Sequence, residues 1–288
     1  MDYVTGHRPD DLEYLDSNGI DRDQVSAALA HIFNEMIFGE NAPLHCDPHG
    51  GNIAIRKDPN RRRANFDIIL YDHGLYRDIP TDMRRNYAKM WLAVIEGDEQ
   101  RMRVYARKVA GITDDQFPLF ASAITGRDYK VLVRKDAAVT HTARTAEEKE
   151  SMSGALSDGM LQQLVGLLGQ VPRIILLILK TNDLSKFSPY SHGSELLAYL
   201  LAARSLDENL HTRQGPLHTF LILARYATRT VFEERLESID ESGGILFRPR
   251  NLWRFIRGWF LYVRVELKLS IYEKVLALKS RLGIRSDL

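Results

Sequence analysis

One cysteine in 288 residues, Cys46, excludes an intramolecular disulfide. Nothing covalent staples the chain, which is compatible with a reducing compartment. An excess of charge of one sign is lacking too. Lysine and arginine total 39 against 38 acidic residues, so bulk charge gives no argument for nucleic acid or an acidic polymer as partner. Long apolar runs are also missing. Residues 174–179 and 259–263 are short and bracketed by basic residues, far from the 18 or so apolar residues of a membrane span. No transmembrane helix is expected. The opening Met1-Asp2-Tyr3-Val4 reads as neither a signal peptide nor an Arg-rich transit peptide. No internal repeat or low-complexity stretch occurs.

What is present is a hydrophobic fraction of 44% with charges scattered through it, the composition of a folded chain with a substantial core. Its most informative stretch runs from His45-Cys46-Asp47-Pro48-His49-Gly50-Gly51-Asn52 to Tyr71-Asp72-His73-Gly74. Residues 52–56 and 66–71 read as short strands, apolar and rich in β-branched side chains. The polar linker between them, with Pro59 and Asn60, suits a hairpin. A hairpin brings its ends together, so Asp47, Asn52 and Asp72 are expected in one site. Three oxygen ligands in a small volume suit a hard cation such as Mg²⁺, often completed by substrate phosphates. An Asp, an Asn five residues on, a hairpin and then Asp-x-Gly is the order of the catalytic and metal loops of the protein-kinase fold. There the first Asp orients or deprotonates the acceptor, the Asn and second Asp carry metal, and Gly74 would let the backbone turn.

Blander roles are open to the same residues. His45, Cys46 and His49 as zinc ligands would need paired clusters of four, and no second cysteine exists. Either Asp alone would pass for a turn residue; together, at this spacing, they favour the site. His45 and His73 are expected to pack and link the two loops. Arg61 to Arg63, at the hairpin tip, are expected to be merely solvated.

The wording of these loops resembles a particular family. His-Cys-Asp-Pro-His-Gly-Gly-Asn is similar to the His-x-Asp-Pro-His-Pro-Gly-Asn signature of the UbiB or aarF-domain (ADCK) atypical kinases, and Asp72-His73-Gly74 to the Asp-His-Gly form of one branch. Residues 1–6 resemble that family's hinge strand, and Val171-Pro172-Arg173 with 179–184 a downstream segment, so the likeness covers roughly residues 1–190. Gly50 stands where the family has Pro, and His73 where Phe is usual; neither touches an oxygen ligand. The resemblance implies ATP and Mg²⁺ as cofactors, Asp47 as the catalytic residue, and Asn52 and Asp72 as metal ligands. Tyr3, Val4, Asn52 and Asp72 would bind the nucleotide. It also implies a mitochondrial setting and a link to lipid or coenzyme Q homeostasis.

A kinase also needs a phosphate-covering loop and a strand lysine on the nucleotide. No Gly-x-Gly-x-x-Gly and no valine-rich strand ending in lysine precedes the motif. By family architecture Met1 is then expected to be an internal start, of a truncated gene model or a natural fragment, and the chain inactive alone. A small-molecule phosphotransferase of the aminoglycoside or choline kinase type is the enzymatic alternative; a non-catalytic scaffold is the other.

Along the rest of the chain, Tyr3-Val4 reads as a strand that Thr5 to Pro9 breaks. Asp21 should cap a helix carrying Val25, Leu29, Ile32, Phe33, Met36 and Ile37, ended by Gly39. Helices are expected over 81–95 and from Asp98 to Gly111. Periodicity weakens over 113–149, with strand alternation at 128–136 and an exposed charged segment at 143–153. Further helices are expected near 156–168, 172–181, 193–205, 215–240 and 250–282. On the last, Arg250, Arg254, Arg257, Arg264 and Lys268 share one face and Leu252, Ile256, Trp259, Val263 and Leu267 another. Such a helix can lie on an anionic membrane surface; the commoner arrangement, expected here, packs its apolar face on its own domain. The expected fold is mainly α (α+β), the C-terminal lobe of a kinase-like fold. Residues 1–150 would be the lobe proper and 151–288 its helical extension.

Overall fold

The structure is a computed structural model that describes residues 4–61, 64–125, 129, 166–167, 169–182, 210, 212, 216–242 and 249–281. It is mainly helical, with two small antiparallel two-stranded sheets.

Asp11 starts the short helix α1 (Leu12–Ser17) by accepting from the Tyr14 backbone N–H. Asp21 caps α2 (Arg22–Phe38), accepting from Asp23 N at 2.9 Å and satisfying an N–H that the helix leaves without a partner. Along α2, Val25, Leu29, Phe33 and Ile37 recur every fourth residue, and all four are buried. The first three pack with Leu15, Ile20, Ile53, Ile55 and Phe66. Ile37 and Phe38 enter a second, larger cluster with Leu44, Ile79, Tyr87 and Trp91, and Met36 packs against both. The helix is thus a spine joining two cores, and its C-terminal end delivers the chain to the motif.

Strand β1 (Leu44–His45) follows, then a single tight turn over Gly50–Asn52, then β2 (Ile53–Lys57) paired with β3 (Phe66–Leu70) in the register Ile53↔Leu70 to Lys57↔Phe66. Asn52 therefore ends a turn rather than opening a strand. β1 pairs with β4 (Tyr76–Arg77), a ladder too short for sequence periodicity to reveal. Arg56 and Asp67 form a cross-strand ion pair at 2.8 Å. Arg61 is not merely solvated, because it reaches Asp58 at 3.0 Å and Asp67 at 3.2 Å; Arg62 and Arg63 lie outside the described residues. Tyr3 also lies outside them, and Val4 is not in a strand. The chain joins the hairpin edge later, at His7, whose backbone exchanges hydrogen bonds with Ile55. The segment read as a breaker is therefore an edge partner. Gly6 makes this approach feasible, since a Cβ there would sit 2.8 Å from Ala54 Cβ.

Helix α3 (Thr81–Glu96) stops at left-handed Gly97, and Asp98 caps α4 (Glu99–Ala110), which stops at left-handed Gly111. Helix α5 (Phe117–Thr125) falls in the stretch of weak periodicity, yet Phe117, Phe120, Ala121 and Ile124 are its buried stripe. Pro118, at its second position, is harmless in a first turn but masks the pattern. Of 128–136 only Tyr129 is described, and it is helical. The expected helices at 193–205 and over most of 156–168, and the segment 143–153, lie outside the described residues. Helix α6 is Arg173–Asn182, α7 is Pro216–Glu241 and α8 is Pro249–Arg281. Leu167, Val171, Ile175, Ile178, Leu223 and Ala227 share the larger core with the earlier helices. α7 lies against α2, α3 and α8, with Arg85–Glu237 and Lys89–Glu234 ion pairs fastening it to α3.

The expected packing of α8 is overturned. Leu252, Ile256, Trp259, Val263 and Leu267 are all exposed. The face that meets α7 holds buried Asn251, Gly258 and Leu269, the last packed with Leu221 and Ala224, and Tyr262 stacks on Phe232 at 4.6 Å. Arg225 of α7 explains the rotation. It pairs with Glu266 and Glu273, both at 3.1 Å, so the two carboxylates of α8 turn inward.

Candidate functional site

The site grows from the two ladders. Because Ile53 faces Leu70, the next pair outward is Asn52 and Tyr71, and Tyr71 N donates to Asn52 O at 2.7 Å. Asp72 is therefore the residue after Asn52's cross-strand partner. On the other side, the Asn52 carboxamide donates through Nδ2 to the Asp47 carbonyl at 3.2 Å. Since the nitrogen makes that bond, the carboxamide oxygen is the atom left for a cation. The Asp47 loop, Asn52 and Asp72 are thus brought together by backbone pairing, and Asn52 is the joint.

His45 fastens the same two loops. It is 1% exposed. Its Nδ1 accepts from Asp47 N at 3.1 Å and its Nε2 lies 3.5 Å from Tyr71 O. An accepting Nδ1 leaves Nε2 as the donor, so one imidazole spans from the Asp47 backbone to the carbonyl just before Asp72. His73 is held similarly: Nε2 donates to Leu70 O at 3.0 Å, and Nδ1 faces the Tyr76 hydroxyl at 2.6 Å. The rings of His45, His73 and Tyr76 lie within 5.1 to 6.4 Å of one another. Burial pushes the Tyr76 hydroxyl pKa up, keeping it a neutral donor.

Asp72 has φ of +55°, a left-handed conformation uncommon for residues other than glycine but tolerated by Asp. Local strain of this kind collects at functional sites. The sharp turn is made by Asp72 itself. Gly74 serves a different need: its N–H lies 3.3 Å from Asp72 Oδ1, and a Cβ there would come within 3.0 Å of the same oxygen. Asp72 is exposed, Asp47 half-buried and Asn52 nearly buried. Val4 is tied in through its carbonyl, which accepts from the Tyr71 hydroxyl at 3.1 Å.

Sequence reasoning missed Tyr71 and Tyr76, which hold the loops by hydroxyls, and His49, which accepts from Gly51 N at 3.1 Å and caps the turn before Asn52. The spacing of Tyr76 three residues after His73 was the available signal. The Asp72 carboxylate and the Asn52 carboxamide oxygen are of the hard-oxygen kind that Mg²⁺ takes.

Comparison with known proteins agrees with the loops. Residues 1–106 match the ABC1 atypical kinase-like domain. An ABC1 family protein MCP2 homolog of Schizosaccharomyces pombe is 44% identical over 280 residues, 95% of this chain and 45% of its own length. ABC1 family protein MCP2 of Saccharomyces cerevisiae is 43% identical over 96% of this chain and 46% of its own. AarF domain-containing protein kinase 1 of Gallus gallus is 35% identical over 98% of this chain and 47% of its own. The likeness therefore extends well past residue 190. The chain spans about half the length of the curated relatives it matches. No solved structure matches. With its Asp47, Asn52 and Asp72 loops inside the matched segment, the chain belongs to the ABC1 (UbiB/aarF-domain) family of atypical kinase-like proteins.

Proposed function

We propose that this chain is the metal- and phosphate-binding lobe of an atypical kinase or ATPase, with a kinase-like C-terminal lobe as its architecture. Asp47 would orient or deprotonate the acceptor. Asn52, through its carboxamide oxygen, and Asp72 would hold Mg²⁺, which when bound neutralises charge on the phosphates of ATP. Val4 and Tyr3 would lie along the nucleotide. His45 would keep the two loops in register as a positioning residue, donating no ligand. The observation that carries the reading is the Asn52–Tyr71 backbone pair, which joins the end of the Asp47 loop to the residue before a left-handed Asp72. A role in mitochondrial lipid or coenzyme Q homeostasis rests on the family resemblance alone. The division at about residue 150 into lobe and extension belongs to the same proposal.

Thermal stabilisation by ADP, with and without Mg²⁺, tests the binding half. Ligand at a hundredfold excess over Kd stabilises by about 2.7 kcal/mol, an easily read rise in Tm. The rise should need Mg²⁺, vanish in Asp72→Asn and survive in Asp47→Asn. An equal rise without Mg²⁺ would overturn the metal assignment, and no rise at all would leave a non-catalytic scaffold.

A further inference from the structure

The outward face of α8 is the largest feature that the proposed nucleotide site leaves unused. The helix has 33 residues and is therefore about 50 Å long. Trp253, Phe260 and Leu267 are 66%, 60% and 61% exposed, and they recur every seven residues, hence on nearly one line. Ile256, Val263 and Ile271 widen the same exposed stripe. An apolar band from Trp253 to Ile271, about 27 Å along the helix, is not ordinary surface.

The charges on the helix narrow the occupant. α8 carries eight basic residues and only two acidic ones. Both acids, Glu266 and Glu273, are turned inward onto Arg225. The face around the apolar stripe therefore has no carboxylate of its own helix, while Arg257, Arg264 and Lys268 flank it and are exposed. A second copy of the same helix would bring these cations against their equivalents, so self-pairing is disfavoured. An anionic surface is complementary. Exposed tryptophans beside apolar side chains, with Lys and Arg at the flanks, suit the boundary between lipid headgroups and acyl chains. No described helix is long and apolar enough to cross a membrane, which leaves α8 lying in the plane of the interface. We infer that α8 docks this protein on an anionic phospholipid surface, its apolar stripe inserted and its basic flank on the headgroups.

The 288-residue chain should be sedimented with neutral phosphatidylcholine vesicles and with vesicles that also contain an anionic phospholipid, at low and high salt. Wild type should partition onto the anionic vesicles at low salt and be released by high salt, since screening weakens exposed pairs. Replacing Arg257, Arg264 and Lys268 with Gln should lower the partition coefficient on the order of 100-fold, because each surface cation contributes roughly a factor of five. Trp253→Ser with Phe260→Ser and Leu267→Ser should abolish it, with Tm unchanged because all three side chains are exposed. Equal sedimentation of wild type and either variant overturns the proposal. So does equal binding to neutral vesicles. No binding to any vesicle overturns it too, and a dimer that the apolar variant dissolves would assign the face to a second copy.

Discussion

Around Asp47 and Asp72, short segments are pinned by bonds from side chains to backbone between close neighbours, whereas α8 is a long helix held along one side to α7 by Leu269 packing, the Arg225 ion pairs and one stacked ring. The first arrangement spends its rigidity on a few oxygens: Asn52, His45 and His73 are each tied to backbone atoms, and the Asp72 carboxylate is left exposed. The second spends little on rigidity and leaves a broad apolar face. The contrast shows how one fold can present two kinds of surface. A site for a small hard ligand needs fixed atoms; a face for a soft extended surface needs only its area and its charge.

The comparison breaks most severely at the motif. In a protein that also supplies the phosphate-covering loop and strand lysine, Asp47→Asn should cut turnover by roughly 10² or more and leave Mg-ADP binding in place. Steady-state kinetics beside thermal shift separates the two. The 288-residue chain alone, without such a loop or lysine in its sequence, should bind without appreciable turnover. A rate near the usual 1 to 100 per second for kinases, removed by Asp47→Asn, would refute that.

Next in size is the α7–α8 junction. Arg225→Met leaves Glu266 and Glu273 facing each other across a lost cation. The three side chains are 22 to 33% exposed, so water softens the effect to about 1–2 kcal/mol. Urea unfolding measures it. If α8 merely rests on α7, stability will not change, and the argument that Arg225 sets the rotation of α8 fails.

Smaller again is the effect of acid on α7. Burial chiefly, with the nearby Arg225 and His31 as lesser causes, lowers the pKa of His218 below 6.5, while Glu273 and Asp23 oppose the shift. A histidine with a depressed folded pKa favours the folded state above pH 6.5, and that contribution is lost as pH falls from 6.5 through the folded value. Tm should therefore decline over that window, and His218→Gln should flatten this part of the decline. A parallel decline in both proteins would exclude His218.

The same contrast explains what could be read beforehand. The gathering of the Asp47 loop, Asn52 and Asp72 was legible because hairpin pairing is local, and the apolar runs at 52–56 and 66–71 lie within one residue of the strands that bring them together. The cap at Asp21, the break at Gly97-Asp98 and the stop near Gly111 were legible for the same reason. The β1–β4 ladder was not, because two-residue strands carry no period. Nor was the rotation of α8: its sequence holds a good apolar stripe, and which stripe faces inward depends on Arg225, some forty residues away on another helix. The kind of surface that α8 presents was readable, but its direction was not.

The mildest perturbation sharpens the comparison with one residue type in two settings. Trp91 is 7% exposed, edge-on to Tyr87 and Phe220, each ring pair 6.2 Å apart. Trp91→Ala removes the centre of the larger core and should cost about 3–5 kcal/mol. Trp259 is half exposed on α8. Trp259→Ala should shift stability by no more than about 0.5 kcal/mol, as surface changes do. Paired denaturant curves give both numbers from the same preparation. A cost for Trp259 approaching that for Trp91 would mean that the stripe is packed in solution, and the outward face of α8 would then be core. A near-zero cost leaves the apolar stripe unexplained by folding, and something other than this chain's stability must account for it.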